Sequence, residues 1–291
     1  MDLGRVGIWC GGAWRVDERA AEADDVAAEL EALGFGALWL SGGRKPGLSP
    51  RFRMLLDATS RISVASGIVS IWLVSPPELA RRAAELWAAH PDRFLLGLGV
   101  SHAAPVESTG QSYTRPYSRM ADFLNELDRQ QPPAAAERRV LAALGPRMLA
   151  LAASRSAGAH PYFVPVEHTA RAREALGAGP LLAPEQAVVL ETDPARARAI
   201  ARSHTSFYLQ APNYTNNLRW LGYTDEDLAG EGSGRLVDAV VAWGDVDTIA
   251  RRVAEHHQAG ADHVCLQVLT PTNDAFPRAE YRLLAESLLA S

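Results

Sequence analysis

The sequence predicts a single α/β domain, residues 1–291, built as an eight-stranded parallel β/α (TIM) barrel. Short apolar or β-branched runs alternate with longer stretches rich in Ala, Glu and Arg along the whole chain. Eight such strand–helix units in a chain of this length are what a closed barrel requires. The turn after the first strand, at residues 10–14, lacks the GxGxxG pattern of a dinucleotide fold, which disfavours a doubly wound open sheet.

The first half of the chain contains four predicted strands, at residues 5–10, 36–40, 62–68 and 93–99. A helix is predicted after the first strand, where Gly34 supplies the left-handed residue that ends it. Another is predicted after the third strand, where Pro76 opens it. The fourth strand is nearly all apolar, which is typical of a strand covered on both faces.

The second half repeats the pattern, with strands predicted at residues 139–143, 159–164, 187–191 and 262–268. Helices are predicted at residues 146–156, 166–176 and 277–289, and one more opens at residues 193–194. Two long insertions, residues 103–133 after strand four and 210–234 after strand seven, interrupt the rhythm. We expect them to be lids or substrate walls, and a disordered insertion is the alternative.

Composition excludes several functional classes. A net charge of −5 and a pI near 5.9 disfavour a nucleic-acid partner. The sequence contains no run of about 18 apolar residues, so no membrane span is predicted. The amino terminus lacks the features of a signal peptide. Cys10 and Cys265 are far apart and predict reduced thiols rather than metal ligands. We therefore expect a soluble cytoplasmic protein without a metal site.

Reactive groups in a barrel lie at the carboxyl ends of its strands. His102 closely follows the fourth strand, where an imidazole can donate to a carbonyl or exchange protons. His160, near the sixth strand, has the same potential, although each histidine is equally consistent with one that only ties its own loop. Three tryptophans are candidates for the walls of a pocket that binds an apolar or aromatic substrate: Trp9, Trp14 and Trp72. The alternative is that they only pack against the barrel.

Longer motifs carry a family resemblance. Residues 76–102, PPELARRAAELWAAHPDRFLLGLGVSH, resemble the signature region of luciferase-like oxidoreductases. That family includes flavin-dependent monooxygenases and the reductases and dehydrogenases that use the deazaflavin coenzyme F420. Residues 158–177, 181–199 and 242–269 resemble the actinobacterial deazaflavin-dependent branch. The likeness extends over essentially the whole chain.

The resemblance implies a tricyclic ring in the barrel mouth and a homodimer that acts on a small molecule. It places a non-prolyl cis peptide that supports the ring at Ser66–Gly67, and a coenzyme phosphate near the end of strand six. His102 would protonate the substrate or hydrogen-bond the coenzyme. The implied cofactor-binding residues are Ser66, Gly67, Ile68, Gly99, Val100, Ser101, Ser154, Gly158, Ala159 and His160.

One position departs from the family pattern. Relatives often carry an acidic residue or a histidine at the end of strand two, where this chain has Ser41, Gly42, Gly43 and Arg44. Either another loop supplies the second catalytic group, or this site has fewer catalytic groups than those of its relatives. The leading hypothesis is an F420-dependent oxidoreductase. The alternatives are a flavin mononucleotide (FMN) monooxygenase and a non-catalytic deazaflavin-binding protein. Lys45, the only lysine, is not placed for Schiff-base chemistry.

Overall fold

The computed structural model describes residues 1–42, 47–272 and 274–289, in which helices surround a curled sheet. The strands are β1 (Val6–Cys10), β2 (Ala37–Leu40), β3 (Ser63–Ser66), β4 (Val69–Ser70), β5 (Phe94–Gly99), β6 (Arg139–Leu141), β7 (Gly158–Ala159), β8 (Leu181–Leu182), β9 (Glu185–Val189), β10 (Val241–Trp243) and β11 (Val264–Val268). The α-helices are α1 (Ala20–Ala32), α2 (Arg51–Asp57), α3 (Pro76–Ala89), α4 (Ala103–Glu107), α5 (Pro116–Asp128), α6 (Pro146–Arg155), α7 (Val166–Leu176), α8 (Pro194–Tyr208), α9 (Pro212–Trp220), α10 (Asp225–Leu228), α11 (Gly234–Val240), α12 (Val246–Gln258) and α13 (Arg278–Leu288).

The strands follow the order β10-β9-β11-β1-β2-β3-β5-β6-β7-β8, and β4 pairs with β5. Every described strand pair is parallel. The segment from β8 to β9 connects the last strand of this order to the second one. The Ala183 amide donates to the Ala159 carbonyl at 2.9 Å along one edge, and the Cys265 amide donates to the Pro184 carbonyl at 2.9 Å along the other. Residues 181–189 therefore lie between β7 and β11.

Each predicted strand and helix has a counterpart in the structure, and most of the observed strands are shorter than predicted. The predicted third strand is divided into β3 and β4 at residues 67–68, and the predicted seventh begins earlier, at Glu185. Strand β10 and helix α2 were not predicted. The insertion at residues 103–133 contains α4 and α5, and that at residues 210–234 contains α9 and α10. No helix in the described part of the chain is long and apolar enough to cross a membrane.

Two apolar layers cover the two faces of the sheet, because successive side chains of a strand point to opposite faces. Ile8, Leu38 and Leu96 belong to the layer between sheet and helices. Trp9 and Trp39 belong to a separate cluster inside the curl. Both faces are buried, which explains why the strands read as nearly continuous apolar runs.

Candidate functional site

The interior of the curl is aromatic near the carboxyl ends of the strands. Trp9, on β1, has its ring centroid 5.8 Å from that of His160 and 5.1 Å from that of Tyr162. The indole is only 4% exposed, and its Nε1 has no hydrogen-bond partner among the described residues. A buried N–H group without an acceptor is costly. Trp9 therefore carries a buried donor that no described residue satisfies.

The segment after β3 approaches this aromatic group closely. A Cβ atom on Gly67 would lie 2.1 Å from Trp9 Cζ3 and 3.1 Å from His160 Nε2, so only glycine fits there. The non-prolyl cis peptide is Gly67–Ile68. The prediction of Ser66–Gly67 was wrong by one residue, because counting back from Pro76 does not fix the register of a bulge. Ser66 is buried, and its hydroxyl bridges the Gly97 carbonyl and amide.

The end of β5 forms the adjoining part of the rim. The Ile68 side chain covers Gly99, where a Cβ would lie 2.6 Å from Ile68 Cδ1. The Val100 carbonyl accepts a hydrogen bond from Trp72 Nε1 at 2.8 Å. The Ser101 carbonyl accepts one from the Tyr113 hydroxyl at 3.2 Å. The structure thus brings together most of the predicted ring-contacting residues with Trp72.

His102 connects this rim to the second insertion. Its Nδ1 lies 2.8 Å from Oδ1 of Asn213 on α9, and its ring centroid lies 5.2 Å from that of Tyr214. An amide oxygen only accepts, so Nδ1 carries the proton and Nε2 is left as an acceptor. Burial lowers the pKa of His102, and the bond to Asn213 offsets this only in part. The imidazole is neutral at pH 7 and can take a proton at Nε2.

His160 lies inside the curl rather than on the rim. Its Nδ1 donates to the Ala183 carbonyl at 2.7 Å, and its ring stacks on Trp39 with centroids 4.1 Å apart. Burial lowers its pKa to about 4. Its Nε2 is therefore an acceptor, and no described residue donates to it. His160 supports the floor beneath Gly67.

The predicted phosphate site lies at the other end of the strands. Ser154 is in the last turn of α6, which runs back from the carboxyl end of β6 to the amino end of β7. Its hydroxyl bonds to the Ala150 carbonyl of its own helix. The Gly158 amide donates to the Ser156 hydroxyl oxygen at 3.3 Å, and Ala159 is buried beside β6 and β8. The structure does not bring Ser154 and Gly158 to the rim, because a connecting helix reverses the chain direction.

Two of the predicted substrate tryptophans have other partners. Trp14 is buried, and its Nε1 donates to the Tyr281 hydroxyl at 3.2 Å. The half-buried Trp72 is covered by Tyr113 and by the guanidinium of Arg119. Trp72 is thus placed at the mouth, whereas Trp14 packs against Phe276 and Tyr281.

Sequence reasoning missed several polar residues of the mouth. The Tyr162 hydroxyl donates to Gln267 Oε1 at 2.7 Å and lies 2.8 Å from the Tyr208 hydroxyl. Glu185 is buried beside them, and only one of its oxygens accepts a described hydrogen bond, from the Phe163 amide. Burial raises its pKa to about 8. The signal that could have identified Glu185 is its position at the start of an apolar strand. The predicted strand began at Ala187 and therefore left Glu185 outside it.

The end of β2 is described only as far as Gly42, whose amide donates to the Ile68 carbonyl at 3.1 Å. Gly43, Arg44 and Lys45 lie outside the described residues. Over residues 1–42, 47–272 and 274–289, no group of three or more His, Cys, Asp or Glu side chains can hold a metal ion.

The described geometry is that of a rim built from glycines, aromatic rings and a neutral imidazole on a curled parallel sheet. A model of the family described as luciferase-like monooxygenase matches residues 1–263. This chain belongs to the luciferase-like monooxygenase family. No curated protein sequence matches it.

Solved structures share the fold of this luciferase-like protein at low sequence identity. It resembles the coenzyme F420 dependent tetrahydromethanopterin reductase from Methanopyrus kandleri, with 14% identity, a TM-score of 0.78 and 99% of each chain covered. It also resembles an F420-dependent secondary alcohol dehydrogenase in complex with an F420-acetone adduct, with 13% identity, a TM-score of 0.75 and 98% of each chain covered. A third is the oxygenating constituent of 3,6-diketocamphane monooxygenase from Pseudomonas putida in complex with FMN, with 13% identity and a TM-score of 0.71, covering 98% of this chain and 97% of that one. These identities establish a shared fold only.

Proposed function

We propose that this protein is an oxidoreductase that transfers a hydride between the deazaflavin coenzyme F420 and a small organic substrate. The observation that carries the proposal is His102, a neutral imidazole at the carboxyl end of β5 whose Nδ1 is held by Asn213. Hydride transfer to or from an alcohol or carbonyl also moves a proton. No described hydrogen bond engages Nε2 of His102, which suits it to accept or return that proton.

The residues of the mouth fit a flat coenzyme ring. Gly67 has no side chain, and the stacked rings of Trp9 and His160 form a floor beside it. Trp9 Nε1 and His160 Nε2 are buried without described partners, as expected of groups that meet a bound molecule. The coenzyme would supply the hydride from its ring carbon. The chain would hold the ring at Gly67 and Ile68 and handle the proton at His102.

The coenzyme phosphate would need donors at the carboxyl ends of the strands. The first turn of α6 lies there, after β6, and no side chain caps its amides. The exposed Arg147 in that turn adds a cation, with its guanidinium 4.4 Å from the Tyr117 ring centroid. A helix amino terminus with a neighbouring arginine suits a phosphate. This end of α6 replaces Ser154 in our proposal.

We also infer that β8 and β9 act as one strand. The backbone hydrogen bonds of residues 181–189 to β7 and to β11 support this interpretation, which makes the sheet a closed eight-stranded barrel with β10 as an addition. The active form would be a cytoplasmic homodimer, as the resemblance implies.

Titration of the apoprotein with F420 and, separately, with FMN tests the proposal. We expect tight F420 binding by coenzyme fluorescence, and hydride transfer to at least one member of a panel of enones, imines and secondary alcohols. His102→Gln should lower kcat about 10²- to 10⁴-fold while leaving the F420 dissociation constant within about threefold.

His257→Gln is the matched control, because His257 is also a half-buried histidine bonded to one carbonyl, that of Ala261, but at the amino end of β11. Its kcat should stay within about twofold. Tight FMN binding with oxygen consumption by the reduced flavin would instead identify a monooxygenase. F420 binding without hydride transfer to any panel member would identify a binding protein.

A further inference from the structure

The buried carboxyl of Glu185 lacks an ionic partner. Glu185 is 1% exposed and opens β9, opposite Cys265 on β11. Its Oε2 accepts a hydrogen bond from the Phe163 amide at 3.2 Å, and its Oε1 has no partner among the described residues. Burial raises the pKa of this carboxyl, the Phe163 amide lowers it, and no described cation contributes. Because an ionised carboxylate is costly in such a place, the group is held protonated.

A cluster of aromatic rings connects Glu185 to helix α9. The aromatic cluster consists of Tyr162, Phe163, Tyr208 and Tyr214. The rings of Tyr208 and Tyr214 each lie 5.1 to 6.4 Å, centroid to centroid, from those of Tyr162 and Phe163. Tyr214 belongs to α9. The carboxylate form of Glu185 raises the pKa values of Tyr162 and Tyr214, so both lie within its electrostatic reach.

No arginine belongs to the group of titratable side chains that the structure describes around this carboxyl. They come from the segment after β7, from α8, from α9 and from β11, and they are Tyr162, Tyr208, His204, Tyr214 and Cys265. Tyrosine and cysteine side chains are neutral at pH 7 and do not compensate a carboxylate. Ionisation of Glu185 therefore requires water to reach it.

Helix α9 is the element around Glu185 that is least firmly held. Strands β9 and β11 each have a parallel neighbour on both sides. Helix α9 has nine residues, and Gly222, with φ 97°, follows it. Its Asn217 is 6% exposed, and neither Oδ1 nor Nδ2 has a described partner. A buried amide without partners destabilises the packed position of α9, and such elements open first.

We propose that Glu185 is a proton-operated switch for α9. While the carboxyl is protonated, the aromatic cluster stays closed and Asn213 of α9 holds Nδ1 of His102. When the carboxyl loses its proton to solvent, α9 lifts, water reaches the carboxylate, and His102 loses its Asn213 partner. The Tyr214 ring, 5.5 Å from Phe163 and 5.2 Å from His102, connects the two ends of the switch.

The switch makes the opening of α9 depend on pH with a defined slope. The ordinary pKa of a glutamate is 4.5, which applies when α9 is open, and burial raises it to about 8 when α9 is packed. The open form therefore binds fewer protons between these values. Opening should become about tenfold more favourable per pH unit between about pH 6 and 7.5, and should level off above about pH 8.

Hydrogen exchange of the full-length protein measures this opening. Mass spectrometry follows residues 212–220, and the rates are corrected for the intrinsic pH dependence of amide exchange. We expect the protection of α9 to fall about tenfold per pH unit over this range. Helix α12 should exchange more slowly and accelerate in low concentrations of urea, whereas α9 should not, because local opening exposes little surface.

Glu185→Gln is the decisive variant, because its amide stays neutral at every pH. We expect the protection of α9 to become independent of pH in this variant. Glu174→Gln is the matched control: it removes the same charge from the exposed face of α7 and should keep the response of the parent.

Infrared spectroscopy of the parent protein provides a measurement without a variant. The C=O stretch of a protonated carboxyl should be present at pH 6 and should vanish over the pH range in which α9 loses protection. An absent band, the parent's slope in Glu185→Gln, or equal exchange of α9 and α12 overturns the switch.

The effect of the switch on turnover rests on the proposed function, whereas the movement of α9 does not. In the parent, kcat/KM should decline on the alkaline side, and in Glu185→Gln it should not. A pH response of α9 in a protein without hydride transfer would leave the switch in place and remove the proposed function. Hydride transfer without that response would do the reverse.

Discussion

At the scale of single residues, the chemistry of His102 depends on a residue far along the chain. Asn213, at the start of α9, accepts from Nδ1 and selects the tautomer that leaves Nε2 without a proton. Burial and this bond act on the pKa in opposite directions, and burial is the larger effect. Asn213 is therefore a positioning residue for the proposed proton transfer.

Asn213→Asp should change the pH dependence of turnover. A carboxylate facing Nδ1–H stabilises the imidazolium, so the pKa of His102 should rise by roughly one to two units. The acidic limb of kcat/KM, where the base becomes protonated, should move to higher pH by the same amount. Asn216→Asp adds the same charge to the exposed face of α9 and should leave the limb in place. An unchanged limb in Asn213→Asp would show that His102 is not the base.

The sequence could identify His102, because a histidine close to a glycine-ended strand is readable locally. It could not identify Asn213 or Gln267, because their roles depend on tertiary contacts with residues more than 100 positions away. Ser154 was misplaced for a related reason. Its distance along the chain from strand six is short, but the helix that contains it ends beside the amino ends of the strands, away from the rim.

At the scale of secondary-structure elements, Arg139 stabilises the amino ends of the strands. Its buried guanidinium donates to the Arg155 and Ala134 carbonyls at 3.0 and 2.8 Å and pairs with Asp128 at 2.7 Å. It thus joins β6 to the ends of α5 and α6. These contacts serve stability, because the reactive groups of this fold lie at the carboxyl ends of the strands.

Arg139→Met should lower the free energy of unfolding by about 3 kcal/mol, because it leaves two carbonyls without their donor and unpairs part of Asp128. Arg138→Met should cost less, about 1 kcal/mol, since the half-buried Arg138 lies 3.5 Å from an exposed Asp92 and 5.5 Å from the centroid of the Trp87 ring. Urea unfolding of the two variants provides the comparison. Equal losses would contradict the assigned role of Arg139.

Element boundaries were predictable where the chain carries its own end signals. Helix α7 has the predicted bounds because Pro165 precedes it and Gly177, with φ 77°, ends it. Strand β10 was missed because residues 236–243 are almost continuously apolar and follow α11 without a break. Periodicity cannot separate a buried helix end from a buried strand in such a run.

At the scale of the whole molecule, buried titratable groups control the dependence of stability on pH. Burial lowers the pKa values of His160, His168 and His263 to about 4 and that of His256 to about 3. The unfolded chain therefore binds more protons than the folded chain below pH 6.5, and stability falls as the pH drops from 6.5 toward 4. Glu185 acts in the opposite direction. Its pKa is about 8 in the folded chain, so the contribution of its protonated form to the free energy of unfolding is lost as the pH rises from 4.5 to 8.

The free energy of unfolding should thus peak near pH 6.5 to 7. It should fall by about 3 kcal/mol per pH unit at most near pH 5.5, where the four histidines outweigh Glu185, and by about 1 kcal/mol per unit between pH 7 and 8. Urea unfolding at pH 5.5, 6.5 and 8 measures both limbs. Glu185→Gln should remove the alkaline decline and keep the acidic one. Highest stability at pH 5.5 would contradict the assignment of neutral histidines to the core.

The double contact of Trp9 limits how the specificity of this protein can be engineered. Its indole packs against Gly67 on one edge and Gly11 on the other, and its face lies beside His160. Trimming Trp9 to admit bulkier compounds would disturb all three neighbours at once. The side chain of Trp72 makes one described hydrogen bond, from Nε1 to the Val100 carbonyl, and its ring is half-buried at the mouth. Libraries aimed at a wider entrance should therefore randomise Trp72 and leave Trp9 intact.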